Sequence, residues 1–353
     1  MSTSVTEYLK RAVDDGASDL FIIGGSPVCE KLEKRLVRID ENQLFPDDTY
    51  ALISQLYELA RRPMDRFEAQ GDDDFSCAVR GLARFRINTY KQRGSMAAVV
   101  RVVAFDIPNW QALQIPPQVM DLAELQHGMV LVTGTAGSGK STTQACIIDR
   151  INQTREAHII TLEDPIEYLH RNQKSIVSQR EVAIDTQDYL SALRACLRQA
   201  PDVMLVGEMR DHETIRTAMT AAETGHLLIA TLHTKGTVNT IDRIVDSFPS
   251  GQQGQVRVQL SMVLSAVVSQ QLLPDTQGGL VPAFEVMHMN SAIRSLIRDS
   301  KTHQIDSAIA AGSAEGMVTM DQSILKLYQQ GMITKEIALN YSDNPDQLRR
   351  RLG

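Results

Sequence analysis

The feature that most constrains this chain is a glycine-rich run between a predicted strand and a predicted helix. The run reads G-T-A-G-S-G-K-S over residues 134–141 and follows the apolar segment V-L-V-T. This spacing is typical of a loop whose backbone N–H groups surround a β-phosphate, with its lysine at the β- and γ-oxygens and its serine hydroxyl at Mg²⁺. The helix predicted over Lys140–Gln153 points its positive end at the same phosphates. The pattern therefore predicts a site for a nucleoside triphosphate.

The predicted contacts with this nucleotide are the residues of the loop and of the first helical turn. They are Gly134, Thr135, Ala136, Gly137, Ser138, Gly139, Lys140, Ser141 and Thr142. Ser141 is also a predicted ligand of Mg²⁺. The alternative is a glycine-rich turn that binds nothing. The strand before the loop and the helix after it supply the context that the motif requires, so we favour the phosphate-binding interpretation.

Composition limits the class of protein. The chain has 353 residues, 43% of them hydrophobic and 22% charged, as in a globular protein with about two domains. Its net charge of −7 argues against a dedicated nucleic-acid-binding protein. We find no apolar run as long as a membrane-spanning helix and no signal-peptide pattern at the start of the sequence. The 4 cysteines form no C-x-x-C pair, which indicates neither a zinc site nor disulfides, so we expect a cytosolic location.

Changes in the pattern of predicted helices and strands along the chain predict two domains. Residues 1–105 form a small α+β domain, and a proline-containing linker follows at 106–117. Residues 118–353 alternate helices with apolar strands, which predicts an α/β domain with a mostly parallel sheet. For the first domain we predict helices Val5–Asp15 and Asp48–Gln70 with short strands between and after them, among them Arg80–Tyr90 and Met96–Ala104, joined by a turn at 92–95. For the second we predict strands Met129–Thr133, His158–Leu162, Val203–Val206 and Leu227–Thr231, helix His212–Glu223, and a helical tail after Leu280.

Acidic residues follow two strands at the edge where ligands of parallel sheets bind. The strand His158–Leu162 stops at E-D-P-I-E, and a carboxylate there can orient or deprotonate a water beside a magnesium triphosphate. The alternative is a solvated acidic loop. The strand Val203–Val206 continues to Glu208, an arrangement typical of the metal-binding Walker B segment. Asp211 is better explained as the N-cap of the next helix.

Two histidines bracket the strand Leu227–Thr231. His233 follows it at the ligand-facing end, so we predict that His233 senses the γ-phosphate or bridges to Glu208. His226 starts the strand at the far edge, where geometry alone favours an ordinary structural role.

Together these motifs resemble one family. The phosphate loop, T-L-E-D-P-I-E at 161–167, V-G-E-M-R-D at 206–211 and A-E-T-G-H-L-L-I-A-T-L-H-T at 222–234 resemble the Walker A, Asp box, Walker B and His box of secretion ATPases. Within that superfamily the chain is similar, nearly end to end, to PilT-type ATPases that retract type IV pili. Further likeness lies in A-S-D-L at 17–20, R-F-R-I-N at 84–88 and A-I-R-S-L-I-R at 292–298. Gln199-Ala200 depart from that pattern and resemble the PilU-type accessory ATPases.

The resemblance implies a PAS-like N-terminal domain, a RecA-like P-loop C-terminal domain and a homohexamer with ATP sites between domains. It implies ATP and Mg²⁺ as cofactors, Glu163 as the general base and Glu208 as a ligand of metal or water, although the two could exchange roles. It also adds His226 to the nucleotide-binding residues. The implied partners are an inner-membrane pilus platform protein and a paralogous retraction ATPase, at the inner face of the cytoplasmic membrane. The alternatives are an accessory subunit that hydrolyses little ATP, or a related motor for secretion or DNA transfer.

The predicted hairpin adds a hypothesis about arginines. If its turn centres on Arg93-Gly94, Arg86 faces Arg101 across the two strands. Like charges directly opposite destabilise a hairpin unless an anion lies between them, and a triphosphate is such an anion. Arginines supplied from outside the P-loop domain are a recurring catalytic device. The alternative is a solvated basic strand face; with the family resemblance, in which N-domain arginines reach the γ-phosphate, we predict that Arg86 and Arg101 are catalytic.

Overall fold

The computed structural model describes residues 4–32, 35–103 and 107–352. The chain divides into two compact units, the first made of residues 1–106 with 167–169 and the second of residues 107–166 with 170–353. The predicted domain boundary at 105 and the predicted strand end at Ala104 lie outside the described residues. Each unit has a hydrophobic core of its own.

The first unit is an antiparallel sheet with helices packed against it. Its strands are β1 (Asp19–Ile23), β2 (Cys29–Leu32), β3 (Arg35–Arg38), β4 (Asp72–Val79), β5 (Ala83–Gln92) and β6 (Ser95–Val103). Its helices are α1 (Val5–Asp14), α2 (Pro46–Leu59) and α3 (Asp65–Gln70). The strand order is β3-β2-β1-β6-β5-β4, and all neighbouring pairs are antiparallel. The buried faces of α1 and α2 complete the core.

One prediction for this unit needs correction, and one strand was missed. The single helix predicted over Asp48–Gln70 is two helices, because Pro63 removes an N–H donor and fixes its own φ between them. Strand β4 was not predicted; it pairs with β5 along its whole length. The hairpin turn is confirmed, since Gln92 pairs with Ser95 and the two residues between them take positive φ.

The second unit is a seven-stranded sheet covered on both faces by helices. Its strands are β7 (Gly128–Thr133), β8 (His158–Glu163), β9 (Ile176–Glu181), β10 (Val203–Val206), β11 (Leu227–Leu232), β12 (Leu264–Pro274) and β13 (Leu280–His288). The order is β13-β12-β7-β11-β10-β8-β9, parallel except for β13. The predicted mostly parallel sheet is confirmed. The tail after Leu280 starts with a strand rather than a helix, because β13 pairs with β12.

Helices fill the connections of this sheet. They are α4 (Pro117–Met120), α5 (Lys140–Thr154), α6 (Tyr189–Cys196), α7 (His212–Glu223), α8 (Thr237–Asp246), α9 (Ser250–Val263), α10 (Ser291–Arg298), α11 (Ile305–Ala311), α12 (Met320–Gln329), α13 (Lys335–Tyr341) and α14 (Pro345–Arg351). Alternate residues of β7 enter two different apolar clusters, Met129 and Leu131 one and Val130 and Val132 the other. A strand buried on both faces is what a parallel sheet requires. Among the described helices, none has the length and apolarity to cross a bilayer.

Candidate functional site

The phosphate loop, residues 134–141, connects β7 to α5 as predicted. Gly134, Gly137 and Gly139 take φ values of 142°, 75° and 87°, a region that side-chain-bearing residues avoid. A Cβ on Gly134 would also collide with the backbone carbonyl oxygen of Gln270 and with the Ser138 hydroxyl. All three glycines are therefore required by backbone conformation, and Gly134 and Gly139 also by close packing against β12.

Lys140 lies against the loop that precedes it. Its side chain is 7% exposed, and Nζ donates hydrogen bonds to the carbonyl oxygens of Gly134 at 2.9 Å and Thr135 at 2.8 Å. These bonds hold the ammonium group inside the curve of the loop. A phosphate surrounded by the loop would therefore lie within reach of this ammonium group.

A cavity of about 190 Å³ opens beside the same loop and was not predicted. It is lined by Ala112, Leu113, Gln114, Ile115, Gly139, Thr142, Thr143, Gln270, Leu272, Leu280 and Pro282. Most of these residues come from the segment before α4 and from β12 and β13, far in sequence from the loop. Nothing in the sequence pattern indicated the cavity, because its mixed apolar and polar lining comes from segments that only the fold brings together.

Glu163 ends β8 at the carboxyl edge of the sheet. Its Oε1 accepts a hydrogen bond from the Thr161 hydroxyl at 2.6 Å and another from Gln179 Nε2 at 3.2 Å. Both donors hold the same oxygen, so the carboxylate has a fixed orientation. Strand β8 is separated from β11 by β10 alone, which brings Glu163 to the same edge as Glu208.

Glu208 follows β10 and lies between two basic side chains. Arg210 Nε donates to Glu208 Oε2 at 2.7 Å, and His233 Nε2 lies 3.3 Å from Oε1. The predicted bridge from His233 to Glu208 is therefore present. Arg210 was not predicted; its bond to Glu208 raises the pKa of the guanidinium further above its ordinary value.

Tyr189, the first residue of α6, was also missed. A Cβ on Gly207 would lie 2.9 Å from its hydroxyl oxygen, so only glycine leaves room for the phenol. Burial, and after it the charges of Asp164, Glu208 and Glu163, raises the pKa of Tyr189 above its ordinary value. The side chain is therefore a protonated hydroxyl beside the carboxylates. Its position in the sequence, in the first turn of a helix, did not predict this location.

Asp211 and His226 lie outside the cluster. The Asp211 carboxylate accepts from the backbone N–H of Thr214 at 2.8 Å and caps α7, as predicted. His226 Nδ1 lies 3.0 Å from the carbonyl oxygen of Ala221, and the His226 carbonyl accepts from Gly128 at the start of β7. Since β11 separates this edge from the phosphate loop by six residues, about 20 Å, His226 does not join the cluster within one chain.

The two hairpin arginines face each other, because Arg86 pairs with Arg101 in the β5–β6 register. Each has a carboxylate partner in the sheet. Arg86 Nη2 lies 2.6 Å from Asp74 Oδ2, and Arg101 Nε donates to Asp19 Oδ1 at 3.0 Å. The expectation that an external anion must separate the two charges is therefore wrong, and the catalytic role of these arginines stays a prediction.

Comparison with known proteins gives consistent results. The family model described as type II/IV secretion system protein matches residues 1–350. The type IV pilus retraction ATPase PilT of Pseudomonas aeruginosa is 42% identical over 342 residues, which cover 97% of this chain and 99% of that protein. The type IV pilus ATPase PilU of the same organism is 38% identical over 345 residues, 97% of this chain and 90% of that protein.

A solved structure extends the likeness to the fold. The crystal structure of the pilus retraction motor PilT with bound ADP superposes with a TM-score of 0.91 and 46% identity, covering 99% of each chain. The resemblance inferred from the motifs is confirmed, and so is the fold class of an α/β P-loop domain with a smaller N-terminal domain.

Proposed function

Because the chain belongs to the type II/IV secretion system protein family, we propose that it is a homohexameric ATPase motor that retracts type IV pili. The observation that carries this proposal is its likeness to PilT over nearly the whole of both chains, with the phosphate loop complete. The reaction is attack of water on the γ-phosphate of ATP. Hydrolysis would open and close interfaces in the ring and so withdraw pilin subunits.

The phosphate loop and Lys140 bind the triphosphate in this proposal. The backbone N–H groups of residues 134–142 surround the β-phosphate, and the Lys140 ammonium leaves the loop carbonyls for the phosphate oxygens. The purine and ribose occupy the adjacent cavity, whose wall includes Gly139, Thr142 and Thr143. Apolar walls with few polar groups are typical of small-molecule sites.

The residues present fit a magnesium ion held mainly by phosphates and water. Mg²⁺ keeps several waters and takes one or two protein oxygens in such sites. The Ser141 hydroxyl and the Glu208 carboxylate would supply those oxygens. The described part of the chain contains no set of three or more His, Cys, Asp or Glu residues that could bind a metal alone. When bound, the ion offsets charge on the β- and γ-phosphates.

We assign the general base to Glu163 and the metal side to Glu208. A base must present an oxygen in a fixed direction to the attacking water. Thr161 and Gln179 orient the Glu163 carboxylate through Oε1, and Glu208 lies between Arg210 and His233. His233 then acts as a link between Glu208 and the γ-phosphate. Arg86 and Arg101 remain candidates for arginines that reach the γ-phosphate from the first domain, on the family resemblance.

A second candidate is an accessory retraction ATPase of the PilU type. The sequence R-Q-A-P-D at 198–202 and the 38% identity to PilU favour it. In that case the chain would act beside a paralogous motor. In both cases the expected partner is a platform protein of the inner membrane, with the ring at the cytoplasmic face.

Deletion of the gene followed by imaging of pili tests the proposal. Long filaments that do not retract are the expected result, whereas cells without pili would indicate an extension motor. Complementation with Lys140→Ala should fail, and Lys174→Ala, an exposed lysine of the same domain, should restore retraction. Steady hydrolysis by the purified protein alone supports the motor over the accessory subunit; hydrolysis that needs a paralogue reverses that preference.

A further inference from the structure

Gln270 joins the phosphate-loop helix to the neighbouring cavity. It lies on β12, which pairs with β7, and is 3% exposed. The Thr143 hydroxyl donates a hydrogen bond to Gln270 Oε1 at 2.7 Å. An amide group is planar, so fixing Oε1 also fixes the direction of the two N–H bonds on Nε2.

The free side of this amide is turned toward the cavity. A Cβ on Gly139 would lie 2.8 Å from Gln270 Nε2, and Gly139 and Gln270 both line the cavity. Among the described residues, no hydrogen bond uses Nε2. Gln114 also lines the cavity, but it is exposed, and nothing in the described part of the chain anchors its side chain in this way. The buried amide is therefore a donor held ready at the wall of the site.

We infer that Gln270 recognises the nucleoside part of ATP by donating a hydrogen bond from Nε2 to an acceptor on the purine or the ribose. This inference rests on the proposed function. The bond from Thr143 gives the amide its direction, so the same residue connects the loop that binds phosphates with the pocket that binds the base. Nucleotide recognition then depends on a strand more than a hundred residues after the loop.

Binding of two ligands to one variant tests the inference. Gln270→Met keeps the approximate shape of the side chain and removes both the Nε2 donor and the Oε1 acceptor of the Thr143 bond. Measured by calorimetry, its ATP affinity should fall by about 3- to 10-fold, the effect of one neutral hydrogen bond. Inorganic tripolyphosphate has the same phosphates without a nucleoside, so its affinity should be unchanged. Retained tripolyphosphate binding also shows that the variant is folded.

The control is Gln271→Met, the same change at the next position of β12. Gln271 points the other way and its amide lies 3.5 Å from the carbonyl oxygen of Tyr341, so both affinities should stay at the parental value. If Gln270→Met fails to fold, Gln270→Leu is a second uncharged replacement that lacks the donor. In that variant ATP should still lose more affinity than tripolyphosphate.

Equal losses for the two ligands would show that Gln270 only holds the phosphate loop, and an unchanged ATP affinity would show that the amide does not reach the nucleotide. Either result overturns the inference and leaves the proposed function intact. A parental protein that binds tripolyphosphate but not ATP overturns both.

Discussion

The two units handle charged residues in opposite ways. In the antiparallel sheet of the first unit, strands alternate in direction, and arginines are neutralised by aspartates on neighbouring strands, as Arg101 is by Asp19. In the parallel part of the second sheet, all carboxyl ends meet at one edge, where the phosphate loop, Glu163, Glu208 and His233 collect. An antiparallel sheet thus disperses polar groups into pairs, whereas a parallel sheet gathers them into a site.

Lys140→Ala should have the largest effect. It tests whether the carboxyl edge of the parallel sheet is the ATP-binding site. Without its ammonium group no other side chain of the loop supplies a cation, so ATP binding should weaken by about 10²-fold and hydrolysis should fall to background. Calorimetry and a phosphate-release assay measure the two effects. The matched variant Lys174→Ala should behave as the parent. Unchanged ATP binding in Lys140→Ala would remove the phosphate-loop assignment.

Arg86→Ala and Arg101→Ala should have the next largest effect. They test whether these arginines only form ion pairs within the sheet of the first unit or also act in hydrolysis. If these arginines reach the γ-phosphate, ATP binding should persist while hydrolysis falls on the order of 10³-fold. Arg101→Ala should also lose about 1 kcal/mol of unfolding free energy, because the buried Asp19 carboxylate loses its cationic partner and keeps, among the contacts that the structure describes, only the bond from the Ser18 hydroxyl.

The double variant Asp19→Asn with Arg101→Ala separates the two effects. It removes the unpaired charge and should restore stability without restoring hydrolysis. Recovery of hydrolysis in the double variant, or normal turnover in both single variants, would mean that the arginines serve the sheet alone. Arg84→Ala on the same strand is the control, and light scattering checks the oligomer.

Glu163→Gln, together with a control at the opposite edge, tests whether hydrolysis depends on the carboxyl edge of the second sheet. Loss of a general base should lower turnover by about 10²-fold while ATP binding is kept. The matched change Glu156→Gln lies just before the amino end of the same strand and should leave turnover unaltered. A parental rate in Glu163→Gln, with a low rate in Glu208→Gln, would mean that the two carboxylates exchange roles.

The smallest effects concern pH, and the first of them involves a buried histidine of the second unit. Burial lowers the pKa of His170 to about 4, so the unfolded chain takes up a proton before the folded chain does. Stability contributed by neutral His170 is present above pH 6.5 and is lost as pH falls, by about 1.5 kcal/mol between pH 6.5 and pH 5. His170→Asn should remove this part of the acid sensitivity in denaturant titrations at the two pH values. An identical pH dependence in the variant would show that the group titrates normally.

Glu30 of the first unit should respond with the opposite sign. Its pKa is raised, chiefly by burial and then by the charge of Asp15, so the folded chain holds its proton longer than the unfolded chain does. This group therefore favours the folded state in acid, and its contribution is lost as pH rises above 4.5. Glu30→Gln should accordingly improve stability at neutral pH, where the parent carries the penalty.

The parallel edge was predictable from sequence because its signals are local. A glycine pattern after an apolar strand, or an acid at a strand end, identifies Lys140, Glu163 and Glu208 without knowledge of the fold. Gln270, Tyr189 and the cavity were not predictable, because each depends on residues that only tertiary structure brings together. The ion pairs of Arg86 and Arg101 were missed for the same reason. The register of β5 and β6 was predictable, but the aspartates that pair with these arginines come from strands β4 and β1.

The position of β12 beside β7 has a consequence for biosynthesis. The strand that leads into the phosphate loop ends at Thr133, but its two neighbours, β11 and β12, end at Leu232 and Pro274. Pairing over such sequence distances is slow, and a chain is made at about 5–20 residues per second from its N-terminus. In a nascent chain the phosphate loop is therefore exposed for several seconds before β12, which packs against it, has been synthesised. The antiparallel hairpins of the first unit can form long before that. We therefore expect the first unit to fold during synthesis, while the second folds only after its last strands have been made.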